Sequence, residues 1–285
     1  MYLNLEQASN LITEKAKQLV KQLFEQRGHG EPPFSPSEFA GLQGIKKVVK
    51  ADLGKVSAVL MKFHDGYEIK INQNHTLARQ NFSCVHEIGH ILFDELKLVH
   101  YTQQIEHRTT FDPQGQAKAR MAARERLCDI AATELLMPEL IFKKYMSSFG
   151  LSVNSILHLA ALFEVSVRAA AWRVAEVSTN PCIAMLWNLD TRTGRNVLRL
   201  EWRSGPGRKD RGKTNYIPVH TRIAYPSILH KAYERDTTFR CYRRFKIDSD
   251  SNVKPLPVES KGFGRGENRR VISLAFLDSE VINKY

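Results

Sequence analysis

Apolar residues recur every three to four positions from Leu5 through Ile12, Ala16, Leu19, Val20, Leu23 and Phe24. That period predicts one amphipathic helix over residues 5–27. A Gly- and Pro-rich loop follows at Gly28–Pro36, and Ser35-Pro36 is placed to start a short helix running to Leu42. The period then shortens. Lys46–Lys50 and Val56–Phe63 are rich in valine, and Gly66–Asn72 alternates Tyr67, Ile69 and Ile71 against Glu68, Lys70 and Asn72. These segments read as strands, and His64-Asp65-Gly66 carries the turn signal of a hairpin.

From Thr76 to about Glu95 the pattern is helical again. Lys97–Gln116 is polar and reads as a long loop. Residues 117–136 form another helix ended by Met137-Pro138, and Pro138 opens a short helix that Gly150 stops near Phe149. Ser152 and Ser166 are good N-caps for 153–164 and 167–177, a helix-turn-helix-like hairpin. Its second helix, VRAAAWRVAEV, is very apolar for a helix meant to read DNA. After Asn180-Pro181 the chain turns β-rich: Cys182–Leu189, Val197–Trp202, Thr238–Ile247 and Arg269–Leu277 read as strands, with a helix at Pro226–Arg235. Asp190–Gly194 reads as a hairpin turn and Gly205–Lys213 as a basic loop. The order β-β-α-β-β predicts a small antiparallel α+β domain. The fold class is therefore α+β. The expected domains are 1–150, carrying helices and a small antiparallel sheet, 151–178, the helical hairpin, and 179–285.

Charge sharpens that division. The chain has 285 residues with 42 Lys and Arg against 30 Asp and Glu. Residues 178–285 hold 21 of the basic and 11 of the acidic groups, so nearly all of the excess lies at the C-terminal end. That asymmetry points to a polyanion or an acidic partner for the last domain. The N-terminus lacks an apolar signal-peptide core and no apolar run reaches membrane-spanning length, so a cytoplasmic protein without a membrane partner is expected. Cys84, Cys128, Cys182 and Cys241 are isolated, which predicts reduced thiols packed as small apolar side chains.

The chemistry concentrates at His86-Glu87-Ile88-Gly89-His90, an HExxH motif inside a helix that follows a strand. Residues four apart lie on one helical face, so His86 and His90 can present two imidazole nitrogens to one metal. Glu87, one position on, can act as a proton acceptor without being a ligand. A third protein ligand is needed. Phe93 and Leu96 occupy the positions where one large zinc-peptidase class has Gly and His, so that class is excluded. Helix 117–136 offers Glu125 with Asp129 one turn on. Glu134 lies nine residues from Glu125, on the opposite side at about 100° per residue, and is expected to face solvent. Glu125 is the better ligand, and Asp129 is placed to hydrogen-bond a ligating His. His100 and His107, in the intervening loop, are expected to be surface residues. His230, His220, Cys182 and Cys241 are expected to be structural or surface groups. Gly89 costs roughly 1 kcal/mol in a helix relative to Ala, a cost that a close backbone approach at the site would justify. Strand Gly66–Asn72 is the expected edge for an extended peptide to join.

FSCVHEIGHILF (82–93) and ERLCDIAATELLMPELI (125–141) together resemble the ImmA/IrrE family of metallopeptidases. LAALFEVSVRAAAW (159–172) is similar to the helix-turn-helix-like segment of IrrE-type members. The resemblance implies a zincin-like peptidase domain and a C-terminal GAF-like domain. It implies His86, His90 and Glu125 as zinc ligands and Glu87 as the catalytic residue. Position 129 is Asp where relatives have Asn. It further implies cleavage of an XRE-type helix-turn-helix repressor, which releases DNA-damage genes or mobile elements, in IrrE-type members after radiation or desiccation. The His₂Glu donor set suits Mn²⁺ as well as Zn²⁺. The competing reading is a non-catalytic DNA-binding regulator with a structural zinc, against which the presence of Glu87 argues.

Overall fold

A computed structural model describes residues 4–98, 113–191, 196–204, 217–244 and 255–277, with the backbone alone at 113–117. Residues 99–112 of the loop expected over 97–116, with His100 and His107, the turn residues 192–195 and the basic loop 205–213 lie outside the described residues. Contacts divide the chain into two compact units, Met1–Phe142 with Ala160–Ser166, and Lys143–Leu159 with Val167–Tyr285.

The first unit opens with α1 (Leu5–Arg27), capped by a reciprocal Asn4–Gln7 box and closed by Gly28 at φ 74°. The periodic residues Ile12, Ala16, Leu19, Val20 and Leu23 are all buried. Next comes α2 (Pro36–Leu42), whose Glu38 pairs with Arg27. β1 (Ile45–Ala51), β2 (Ala58–Phe63) and β3 (Gly66–Asn72) form a three-stranded sheet in the order β1-β3-β2. β2 and β3 make the expected antiparallel hairpin, but β1 runs parallel to β3. The sheet is therefore mixed, a correction to the antiparallel expectation. β3 is its central strand, so Gly66–Asn72 is not the expected edge; β1 and β2 are the edges. Alternation identifies a strand's buried face; it carries no information about which strands flank it.

α3 (Leu77–Glu95) packs on α4 (Pro113–Leu136), which also packs on α1. α4 starts four residues before the expected position, because Pro113 serves as an N-terminal helical residue. Glu134 departs from expectation too. It is 4% exposed, and its carboxylate accepts the Glu139 N–H at 3.1 Å. The face of α4 opposite Glu125 meets α1, not water, so a buried acid there caps the next helix. That helix is α5 (Glu139–Phe149), ended by Gly150 at φ 73°. α6 (Val153–Leu162) and α7 (Val167–Val177) follow, bent by 115°. No single helix among the described residues is long and apolar enough to cross a membrane.

The unit boundaries differ from the 150 and 178 expected from sequence. Phe163, in the turn between α6 and α7, stacks on Phe34 and Phe142 of the first unit at ring distances of 6.1 and 5.2 Å. α7 belongs to the second unit and packs on β4 (Cys182–Asp190). Its Ala170, Ala171, Val174 and Val177 are buried, which is what its apolar composition provides.

The second unit is a six-stranded antiparallel sheet in the order β6-β5-β4-β9-β8-β7. β5 is Val197–Arg203, β6 Arg222–Ala224, β7 Phe239–Arg243, β8 Leu256–Phe263 and β9 Arg270–Phe276. α8 (Ile228–Glu234) lies on one face, with Gly262 leaving room for the Ala232 carbonyl. The core is Ile183, Met185, Trp187, Leu198, Leu200, Val258 and Val271 with their neighbours. Sequence pattern misses β6 and β8. The missed β8 reads LPVESKGF, and its polar residues are buried with partners. Glu259 binds Arg240 at 2.7 Å and the Val153 N–H at 3.0 Å, and Ser260 meets Ser273 at 2.8 Å.

Candidate metal centre

α3 and α4 carry every functional group of the site. One turn of α3 separates His86 from His90, and one turn of α4 separates Glu125 from Asp129. Where the helices touch, Gly89 is required. A Cβ there would stand 2.9 Å from the Cys128 carbonyl oxygen and 3.0 Å from its Cα. The close approach expected of this glycine is present, and it is made by the Cys128 backbone.

One ligand-type atom from each of His86, His90 and Glu125 lies within 4.8 Å of the others. His86 Nε2 is 3.0 Å from Glu125 Oε2, and His90 Nε2 is 3.7 Å from Glu125 Oε1. The far nitrogens are held from behind. His86 Nδ1 is 2.9 Å from Asp129 Oδ1, and His90 Nδ1 is 3.1 Å from Cys128 Sγ. The His side chains are about 15% exposed, while Glu125 is half exposed, so the cluster opens to solvent on the Glu125 side. Two imidazoles and a carboxylate, open on one side, are a donor set that fits a tetrahedral divalent ion with one free position.

Electrostatics separate the two imidazoles. Burial works against a charge on His86. The Asp129 hydrogen bond and the Asp129, Glu125 and Glu87 carboxylates outweigh it and hold His86 above the usual histidine range. Burial, then the neighbouring His86 and Arg124 charges, pushes His90 down to about 4. Burial also raises Glu87, only partly offset by His86 and by the Leu60 amide that hydrogen-bonds its carboxylate. A carboxylate raised by burial is a better proton acceptor than one in water. The Leu60 contact places β2, an edge strand of the sheet, beside Glu87.

Cys128 is the member of this cluster that sequence reading treated as packing only. All four cysteines are free thiols, and Cys84, Cys128 and Cys182 are buried. Burial pushes Cys84 up to about 12 and Cys128 upward as well. In the second unit His230 is buried between Ser227 Oγ and the Asn196 carbonyl. His220 is exposed and meets Arg199.

Comparison with known proteins points the same way. Residues 43–175 match the family model Peptidase_M78, described as the IrrE N-terminal-like domain. That segment takes in the sheet, α3, α4 and both hairpin helices. The chain is 29% identical over 119 residues to the radiation response metalloprotease IrrE of Deinococcus radiodurans. The alignment covers 40% of this chain and a third of the length of that relative. A solved structure described as a Mycobacterium tuberculosis transcriptional regulator has a similar fold, with TM-score 0.58 over 95% of this chain and 80% of its own, at 12% identity. Residues 43–175 are thus similar to a metallopeptidase domain, within a fold that extends to nearly the whole chain.

Proposed function

We propose that this protein is a metal-dependent endopeptidase with His86, His90 and Glu125 as ligands and Glu87 as the catalytic group. One observation carries the reading: three donor atoms of the right chemistry converge within 4.8 Å, with a burial-raised carboxylate in the same helical turn. A zinc ion, or Mn²⁺ in its place, supplies Lewis-acid polarisation of the scissile carbonyl and a more acidic water when bound. Asp129 and Cys128 hold the imidazoles. Glu87 takes the proton from the attacking water and delivers it to the leaving amine. β2, with its outer edge beside Glu87, aligns an extended substrate.

The substrate class we infer is an XRE-type helix-turn-helix repressor, cleaved to release a stress or DNA-damage response. The likeness to IrrE, described as a radiation response metalloprotease, supports this. The C-terminal unit, with α7 and α8 packed on its antiparallel sheet, is read as a GAF-like sensor. Incubating the protein with Zn²⁺ and a candidate repressor tests the proposal. The wild type cuts the repressor and spares casein, and Glu87→Gln keeps its metal but does not cut. Cleavage by Glu87→Gln would remove Glu87 from its role.

A DNA-binding regulator is the second reading, favoured by the fold shared with the mycobacterial regulator and by the basic C-terminal half. Salt-dependent DNA binding retained by Glu87→Gln, with no cleavage by the wild type, would select it.

A further inference from the structure

The two imidazoles of the cluster are supported from behind by adjacent residues of α4, and the supports differ in kind. His86 Nδ1 faces a carboxylate, Asp129 Oδ1, at 2.9 Å. His90 Nδ1 faces a thiol, Cys128 Sγ, at 3.1 Å. Cys128 is 0% exposed, so no water reaches Nδ1 from that side in its place. For His90 Nε2 to offer a lone pair toward the Glu125 side, the ring proton must sit on Nδ1. Its only acceptor among the described residues is then the Cys128 sulfur, a weak one.

We propose that Cys128 is a positioning residue that accepts the His90 Nδ1–H. It fixes the tautomer and ring plane in which Nε2 is presented to the metal. The proposal deepens the metal-site reading above and rests on it. Two further observations support it. Gly89 brings the Cys128 backbone against α3, with room for no Cβ at that point, so helix packing fixes the Cys128 Cα and Cβ and leaves one torsion to place Sγ beside His90. The site already holds Glu87, Glu125 and Asp129. A neutral acceptor behind His90 orients the ring without a fourth carboxylate, whose repulsion the cluster would have to bear. Cys128 is thus the uncharged counterpart of Asp129.

The test uses the full chain stripped of metal, with Cys128→Ala and Cys128→Ser beside the wild type. Titration with Co²⁺ followed by visible absorption, and competition with Zn²⁺, read geometry and affinity. Loss of an outer hydrogen bond to a ligating His weakens metal binding by roughly 10–100-fold. Because sulfur is a weak acceptor, Cys128→Ala is expected near the lower end, about tenfold, with a shifted Co²⁺ spectrum. Cys128→Ser, whose oxygen also accepts the N–H, is expected to recover most of that loss. Wild-type affinity and spectrum in Cys128→Ala would overturn the proposal, as would equal impairment in both variants, which marks a volume effect. A measurement that needs no variant is the ¹⁵N spectrum of His90 in the metal-free wild type. The Nδ1–H tautomer is expected, and Nε2–H would overturn the assignment. A wild type that binds neither Co²⁺ nor Zn²⁺ would instead bring down the metal-site reading itself.

Discussion

The His–His–Glu cluster of the first unit and the buried polar network of the second arrange their polar groups in opposite ways. In the second unit they satisfy one another. Trp187 donates to Ser273, Ser273 meets Ser260, Glu259 accepts from Arg240 and from the Val153 amide, and His230 is held at both nitrogens. In the first unit His86, His90 and Glu125 converge on a common point, the imidazoles tied from behind by Asp129 and Cys128 and the cluster tied within itself by the His86–Glu125 contact. Closed networks rigidify a core. An open cluster of two imidazoles and a carboxylate is stabilised by a positive charge among them, a proton on His86 or a bound cation. The contrast runs against the charge distribution, since the basic excess belongs to the C-terminal half.

Five substitutions put this contrast under strain. Glu87→Gln should reduce repressor cleavage by about 10²–10⁴-fold, the usual worth of a general base, with metal content unchanged by elemental analysis. His90→Ala or Glu125→Ala should leave the purified protein without stoichiometric metal, because two remaining donors hold zinc poorly. Glu259→Ala should lower unfolding free energy by about 1–3 kcal/mol in denaturant titration, leaving the Val153 amide unpaired, while zinc affinity stays at the wild-type value. Gly89→Ala should cost about 1–3 kcal/mol by overpacking and should weaken metal binding as well, since the new methyl group displaces Cys128. If Glu259→Ala changed zinc affinity as much as Gly89→Ala does, the contrast between the units would fail.

Acidification probes the same site. His86 holds its proton above the usual range of about 6.5, and a metal must displace that proton. Apparent zinc affinity should therefore rise with pH through a window centred above 6.5. Asp129→Asn, which removes the charge that raises His86, should move that window to lower pH.

Sequence periodicity located the helices that carry the chemistry, and helical angle alone chose Glu125 over Glu134. The same angle could not tell what Glu134 faces, because a helix packed on two sides has no solvent face there. β8 escaped notice because Glu259, Ser260 and Lys261 look like loop residues until their partners, from Asn154 to Ser273, are known. β3 looked like an edge because alternation is blind to its second neighbour, the parallel β1. Cys128 looked inert because its relation to His90 joins residues 38 apart.

Phe163 has a practical consequence for dissecting the molecule. The backbone leaves the first unit after Phe142, returns at Ala160 to deliver this ring between Phe34 and Phe142, and departs again after Ser166. No single proteolytic cut can release an intact first unit. A fragment ending at residue 150 lacks the ring that seals its core and would expose Phe34 and Phe142, a sticky surface. The two units are interleaved in sequence, so a fragment must run through residue 166 to keep the first unit whole.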